Sequence, residues 1–146
     1  MTPNDPLLTS ELRRDEGVRH SPYKDSRGID TVGVGHNLEV GPLPADWIYP
    51  LTDEQVDELL SGDLVGVFHH LNGLLGWWRT LSYVRQRVLA NMCFNLGING
   101  LLAFKHMLGC AQQGDFVGAA AAMLDSHWAT QVGERASRLA DMMEAG

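Results

Sequence analysis

The feature that most constrains the fold is a short change of pattern near the N-terminus of an otherwise helical chain. Residues 23–38 combine aromatic and β-branched residues with glycines, which predicts a small β-hairpin with close backbone bends. Pro22 prevents a helix from continuing into this stretch. Gly17 is expected to end the preceding helix, because glycine readily adopts the left-handed conformation found at helix C-termini. Asn4 or Thr9 is the expected N-cap of that helix.

The rest of the chain is predicted to be helical. Thr52 and Gln55 have the spacing of a capping box, in which each residue caps the other at a helix N-terminus. Apolar residues then recur at helical spacing as far as Leu71, which predicts a helix long enough to join two lobes. Gly97 is the expected end of a later helix. We therefore expect an α+β, mostly helical fold, with a small N-terminal lobe carrying the hairpin and a larger helical C-terminal lobe.

Length and composition are typical of one globular domain. The chain has 146 residues, of which 45% are hydrophobic and 20% charged, so a core can form without disulfide or metal staples. We expect a single domain over residues 1–146. Within it, the small lobe should span about 15–60, and the helical lobe about 61–146 together with the N-terminal helix. A monomer is the expected state.

Charge and hydropathy narrow the expected partners and location. The net charge of −7 argues against a nucleic-acid binder, which would carry a basic face. No apolar run reaches the length of a membrane span, and the N-terminus lacks a signal-peptide pattern. Cys93 and Cys110 fall in apolar helical segments, where free, buried cysteines are commoner than a disulfide, although a disulfide between them is possible. No metal site is expected.

Two carboxylates in the patterned stretch are candidate catalytic residues. Glu16 falls in the last turn of the first helix, where the negative end of the helix dipole favours the protonated acid. Asp25 lies in a polar turn beside Lys24 and Arg27, which favours the ionised form. A proton donor and an ionised carboxylate are the pair needed to cleave a glycosidic bond. Thr31, on the returning strand, is a candidate for holding the attacking water.

The combined motif is far more specific than the spacing of two acids, which is common by chance. The segment LRRDEGVRHSPYKDSRGIDTVGVGHNL resembles the N-terminal signature of the lysozymes of T-even bacteriophages, the muramidases of glycoside hydrolase family twenty-four. That signature has D-E-G at the end of the first helix, then Y-K-D, then T-x-G-x-G-H. The later segments LTDEQVDELLSGDL and AAAAMLDSHWATQVGERASR are similar to further parts of the family, so the resemblance covers most of the chain.

The resemblance implies roles for individual residues. Glu16 matches the general acid, Asp25 the second catalytic carboxylate, and Thr31 the residue that helps to place the attacking water. His36 matches a histidine that pairs with an acidic residue of the inter-lobe helix, here Asp63. Substrate contacts are implied for His36 and, in the helical lobe, for Asn95, Gln131 and Arg135. Arg135 also matches an arginine that approaches the general acid, and such a cation would oppose the effect of the helix dipole on the pKa of that acid.

The implied activity is hydrolysis of the bond between N-acetylmuramic acid and N-acetylglucosamine in peptidoglycan, with no metal and no cofactor. The implied role is that of an endolysin, which stays in the host cytoplasm until a separate holin opens the membrane and then acts in the periplasm on cell-wall glycan strands. Two alternatives stay open. A lytic transglycosylase cleaves the same bond with one glutamate and no water, and a wall-binding module has the fold without the chemistry.

Overall fold

The computed structural model describes residues 1–146 and places a small antiparallel sheet near the start of a helical chain. This arrangement confirms the predicted α+β, mostly helical class. The elements are α1 Pro6–Glu16, β1 Arg19–Lys24, β2 Asp30–Gly33, β3 His36–Asn37, α2 Asp53–Leu74, a 3₁₀ segment Gly76–Thr80, α3 Tyr83–Leu102, α4 Lys105–Gln112, α5 Phe116–Leu124, α6 His127–Val132 and α7 Glu134–Ala145.

Helix α1 is capped by Asp5, so the prediction of Asn4 or Thr9 was wrong. Asp5 Oδ1 accepts a hydrogen bond from the Leu8 amide at 2.9 Å, and Pro6 fills the first helical position, where no amide hydrogen is needed. The Thr9 hydroxyl instead donates to the Asp5 carbonyl at 3.0 Å. Asn, Asp and Thr are all suitable caps, and only the one whose oxygen reaches the third helical amide serves.

The predicted hairpin is part of a three-stranded sheet in the order β1-β2-β3. Gly33 and Gly35 both have left-handed φ values, of 69° and 67°, which β-branched residues would adopt only with strain. The chain therefore turns between them, and β3 forms as a separate strand that pairs with β2. The sequence pattern had merged the two strands, because alternating apolar residues continue through the turn.

Strand β1 is irregular in its middle. Arg19 pairs with Gly33 and Tyr23 pairs with Thr31, so more residues separate the two positions on β1 than on β2. Pro22 lies inside this irregular part and has no amide hydrogen to give to the ladder, as expected for a proline at a bulge. The bulge bends β1 between Arg19 and Tyr23.

The chain divides into two compact units, residues 2–66 and residues 67–146, the second including Met1. Helix α1 belongs to the first unit with the sheet and the start of α2, and Arg13 of α1 pairs there with Asp57 of α2. The prediction had assigned α1 to the helical lobe and placed the boundary slightly earlier. Apolar periodicity identifies a buried face but not the neighbour that covers it. That the whole chain acts as one catalytic domain stays a prediction.

In the first unit, the core is apolar and α2 begins as predicted. The Thr52 amide donates to Gln55 Oε1 at 3.0 Å, and the Gln55 amide donates to Thr52 Oγ1 at 3.1 Å, which confirms the capping box. The buried apolar side chains of this unit are Leu8, Leu12, Val32, Val34, Leu51, Val56, Leu60 and Leu64.

In the second unit, α3 does not end at Gly97 as predicted. Gly97 has φ 72° and ψ 164°, which kinks the chain, and helical structure resumes to Leu102. Cys93 and Cys110 are free thiols, as predicted, and burial raises the pKa of Cys93 to about 11. No single helix has the length and apolarity of a bilayer span; α3 and α4 meet that test only as a pair, with a bend of 105° between them.

Candidate active site

Glu16 lies at the C-terminus of α1, with its carboxylate against the backbone of Gly35. Gly17 ends the helix with a φ of 76°, and its amide donates to the Arg13 carbonyl, as the sequence predicted. A Cβ on Gly35 would lie 3.1 Å from Glu16 Oε2 and 3.3 Å from its Cδ. The Glu16 carboxylate therefore packs against the backbone of the turn between β2 and β3, where a side chain on residue 35 would be in the way.

Asp25 sits at the tip of the hairpin, where backbone amides fix it. Its Oδ1 accepts hydrogen bonds from the amides of Arg27 at 2.8 Å and Ile29 at 3.0 Å, and its Oδ2 lies 3.7 Å from Arg27 Nη2. The Ile29 amide, aided by the amide and guanidinium of Arg27, holds the pKa of Asp25 below its ordinary value. Asp25 is therefore ionised at neutral pH, as predicted, and its Oδ1 is occupied by the hydrogen bonds of the turn.

Thr31 shares the backbone of Ile29 with Asp25. Its hydroxyl is buried with the rest of the residue, which is 3% exposed, and donates to the Ile29 carbonyl at 2.8 Å. A hydroxyl that has donated its proton keeps lone pairs that accept hydrogen bonds. Thr31 can therefore accept a hydrogen bond from a water molecule but cannot donate one to it while this contact holds.

Tyr23 is linked electrostatically to both candidate catalytic carboxylates. It faces Thr31 across the β1–β2 pair, and such directly opposed side chains share one face of a sheet. Partial burial raises the pKa of the Tyr23 phenol, the negative charges of Glu16 and Asp25 raise it further, and Arg19 opposes them. The charges of both candidate catalytic carboxylates thus influence the Tyr23 phenol.

Sequence reasoning gave Tyr23 no role, although it stands in the quoted Y-K-D motif. The signal that could have found it is strand register. Counting outward from the hairpin tip pairs Lys24 with Asp30 and Tyr23 with Thr31. Once Thr31 is a candidate, its cross-strand neighbour becomes one as well.

His36 bridges two segments of the first unit. Its Nδ1 lies 2.8 Å from Asp63 Oδ2 and 3.0 Å from Oδ1, and its Nε2 lies 2.6 Å from the Gly41 carbonyl oxygen. Both partners are acceptors, so the imidazolium, which donates from both nitrogens, fits the site. The hydrogen bond to Asp63 raises the pKa of His36 more than burial lowers it. The implied pairing with Asp63 is confirmed, whereas a substrate contact of His36 stays a prediction.

We expect the His36–Asp63 pair to stabilise the fold mainly at acidic pH. Because the folded pKa is raised, this stabilisation is full below the unfolded value and is lost as the pH rises through the folded pKa. His36→Gln should lower the free energy of unfolding by about 2 kcal/mol at about pH 5.5. Denaturant unfolding of both single variants and of His36→Gln/Asp63→Asn measures the coupling. A coupling of zero at acidic pH would contradict the assignment.

Asn95 is held by an aromatic residue of its own unit. Its Oδ1 accepts a hydrogen bond from the Trp128 indole at 2.7 Å, and the Trp128 ring packs edge-on against Phe104 with centres 5.8 Å apart. Trp128 is buried and belongs to the core of this unit. With Oδ1 engaged, the Asn95 amide nitrogen is the group left to donate to a substrate, and that contact stays a prediction.

The remaining predicted contacts also lie in residues 67–146. Arg135 is buried at the start of α7, and its Nε donates to Asn91 Oδ1 at 3.0 Å. Gln131 is exposed near the end of α6. Asn91, which is fully buried, was missed by sequence reasoning, because an asparagine within an apolar helix gives no sign of which cation it will meet. The substrate-binding roles of Arg135 and Gln131 stay predictions.

Comparisons with known proteins identify the family of this chain. Residues 13–143 match the family model described as phage lysozyme. Over 95% of its length the chain is 30% identical to the pre-baseplate central spike protein Gp5 of Enterobacteria phage T4, of which it spans 28%. It is 26% identical to probable T4-type lysozyme 1 of Dictyostelium discoideum, over 92% of each chain.

A shorter match adds a third relative. Over 88 residues the chain is 35% identical to the endolysin of Salmonella phage P22, which covers 60% of this chain and 59% of that protein. The family model, by contrast, extends over most of the sequence and includes Glu16, Asp25 and Thr31. This chain therefore belongs to the phage lysozyme family.

Proposed function

We propose that this chain is a muramidase that hydrolyses the bond between N-acetylmuramic acid and N-acetylglucosamine in peptidoglycan. The observation that carries the proposal is the placement of two carboxylates in one unit, Glu16 at the end of α1 against the Gly35 backbone and Asp25 fixed by the amides of the hairpin tip. An acid able to hold a proton and a carboxylate that stays charged are the two groups that glycoside hydrolysis requires. Relatives named as lysozymes and an endolysin support the same chemistry.

In the proposed reaction, Glu16 is the general acid. It gives its proton to the glycosidic oxygen as the bond from that oxygen to the anomeric carbon breaks, and the bonding electrons leave with the oxygen. Water attacks the anomeric carbon, and Asp25 Oδ2 accepts the proton that this water releases. The negative charge of Asp25 also stabilises the positive charge that develops on the sugar.

Thr31 is proposed to orient the attacking water as an acceptor. Because its own proton is donated to Ile29, the water must donate one hydrogen to Thr31. Its second hydrogen then points to Asp25, and its lone pair is left for the anomeric carbon. The shared Ile29 backbone, which binds Asp25 through its amide and Thr31 through its carbonyl, fixes the spacing of the two groups.

We further propose that the protein is an endolysin acting as a monomer. It would accumulate in the host cytoplasm, pass the membrane through a lesion made by a separate holin, and degrade peptidoglycan from the periplasmic side. The name of the Salmonella phage P22 relative supports this role. The matched segment of the spike protein is a minor part of a longer chain, so that relative does not bear on the route of release.

Clearing of purified sacculi tests the proposal. The purified protein should lower the turbidity of a sacculus suspension at a rate proportional to enzyme concentration. Sacculi that bind the protein and stay intact would instead identify a wall-binding module. Release of products that end in an anhydro sugar would identify a lytic transglycosylase.

Gly35→Ala is expected to impair activity more than folding. The φ of 67° makes a Cβ cost about 1–2 kcal/mol, and the new methyl group would press on Glu16 Oε2 from 3.1 Å. Since misplacement of a catalytic group by about 1 Å costs about 10²-fold, we expect clearing to slow by about ten- to a hundredfold. Gly114→Ala is the matched control, with φ 81° and open space around it. Equal loss in both variants, after correction for the folded fraction, would contradict the contact.

A further inference from the structure

Arg19 is the one lysine or arginine of residues 2–66 that has no acidic partner. This unit contains five such residues, and the other four each pair with an aspartate. Those four are Arg13, Arg14, Lys24 and Arg27. In a chain with a net charge of −7, a cation left unpaired among so many carboxylates is available to bind an anion from outside the chain.

The side chain of Arg19 is held in place by an aromatic ring. Its guanidinium carbon lies 4.7 Å from the centre of the Tyr23 ring, a cation–π arrangement. The bulge between Arg19 and Tyr23 allows this contact between two residues of one strand. Arg19 is nevertheless exposed. A guanidinium supported on one face keeps its N–H edge open for a planar anion, and little side-chain freedom remains to be lost on binding.

Arg19 is also next to the candidate catalytic groups. The ring beneath it belongs to Tyr23, which faces Thr31 across the sheet and whose phenol is influenced by the charges of Glu16 and Asp25. A polymer bound beside these carboxylates would therefore pass within reach of the Arg19 guanidinium. Planar, bidentate hydrogen bonding to carboxylate is the interaction for which arginine is best suited.

We propose that Arg19, supported by the Tyr23 ring, binds a carboxylate on the muramic acid substituent of the glycan strand, and so sets which sugar linkage lies at Glu16 and Asp25. The inference rests on the proposed function for the identity of the polymer. It also explains how an acidic protein engages an anionic polymer. One unpaired arginine at the site attracts the strand locally, while the remainder of this unit keeps its cations neutralised.

Binding to sacculi in a Glu16→Gln background tests the proposal without digestion of the polymer. Arg19→Gln removes the positive charge and the paired N–H groups of the guanidinium. Arg13→Gln is the matched control with the same loss of charge, because Arg13 already pairs with Asp57. Co-sedimentation should show Kd raised about tenfold by Arg19→Gln and unchanged by Arg13→Gln, because a charge-assisted pair contributes roughly that factor. Sacculi whose carboxylates have been converted to amides should bind both variants equally.

A competition experiment distinguishes whether the carboxylate belongs to the muramic acid ether or to the stem peptide. Glycan strands stripped of peptide retain only the carboxylate of the muramic acid ether. If these strands compete with sacculi and Arg19→Gln weakens that competition, the ether carboxylate is the ligand. If Arg19→Gln has no effect on the stripped strands but weakens binding to intact sacculi, the carboxylate lies on the stem peptide. Both results support the proposal.

Other results overturn it. If Arg19→Gln lost the same affinity for native and for amidated sacculi, Arg19 would act by supporting the hairpin. No loss on either would show that it binds nothing. Tyr23→Leu provides a second variant, in which Arg19 keeps its charge but loses its support, and it should weaken binding to native sacculi only. The proposed hydrolysis is tested separately. If the unmodified protein failed to clear sacculi, the expected difference in binding between Arg19→Gln and Arg13→Gln would still hold.

Discussion

Glu16→Gln is expected to slow sacculus clearing by about 10²–10⁴-fold, the usual contribution of general acid catalysis. The amide has nearly the shape of the carboxyl but has no acidic proton to give to the glycosidic oxygen. The fold should be retained. Because the amide keeps nearly the shape of the carboxyl, the midpoint of thermal unfolding should stay close to that of the unmodified protein.

The comparison for Glu16→Gln is Glu39→Gln. Glu39 is an exposed glutamate of the same unit, and its replacement makes the same change of side chain at a residue with no proposed role. Its clearing rate should equal that of the unmodified protein. If Glu16→Gln kept more than about a tenth of that rate, then Glu16 would not be the proton donor.

Asp25→Asn is expected to lower turnover by about 10²–10³-fold, the typical loss when an electrostatic contribution to the transition state is removed. The hairpin tip should survive, because the asparagine carbonyl oxygen can still accept the hydrogen bonds from the Arg27 and Ile29 amides. What the variant loses is the negative charge and the ability to take a proton from water. Asp30→Asn, at an exposed aspartate paired with Lys24, is the matched control.

The pH dependence of Asp25 has a definite sign. Because its folded pKa is lowered, the ionised form persists below the ordinary range of aspartate, and the loss of activity due to its protonation should begin only below that range. Its contribution to stability is present above the unfolded pKa and disappears as the pH falls through the folded pKa. Steady-state rates and unfolding midpoints measured between neutral and strongly acidic pH test both statements. A decline in rate that persists unchanged in Asp25→Asn would belong to another group.

Local signals in the sequence predicted the parts of the site that depend on chain neighbours. The end of α1 at Gly17 places Glu16 in the last turn, and the polar turn after Tyr23 places Asp25 at a hairpin tip. The capping box of Thr52 likewise needs only residues within one helical turn. These features are predictable because the same few residues that produce them also carry the signal.

Features that depend on register or on distant partners were not predictable in this way. The contact between Arg19 and the Tyr23 ring requires the irregular part of β1, which becomes apparent only when β1 is paired with β2. The assignment of α1 to the first unit depends on contacts with α2 far along the chain, such as that of Arg13 with Asp57. Periodicity identifies which side of a helix is buried, and the covering element is decided by the rest of the fold.

The most direct test of the account is to digest purified sacculi in water labelled with a heavy isotope of oxygen and to analyse the sugar products that are released. If Glu16 and Asp25 deliver water to the anomeric carbon, mass spectrometry will find reducing-end N-acetylmuramic acid carrying the labelled oxygen, and Glu16→Gln will release almost none. Products that end in anhydro-muramic acid without label would contradict hydrolysis and the roles given to Asp25 and Thr31.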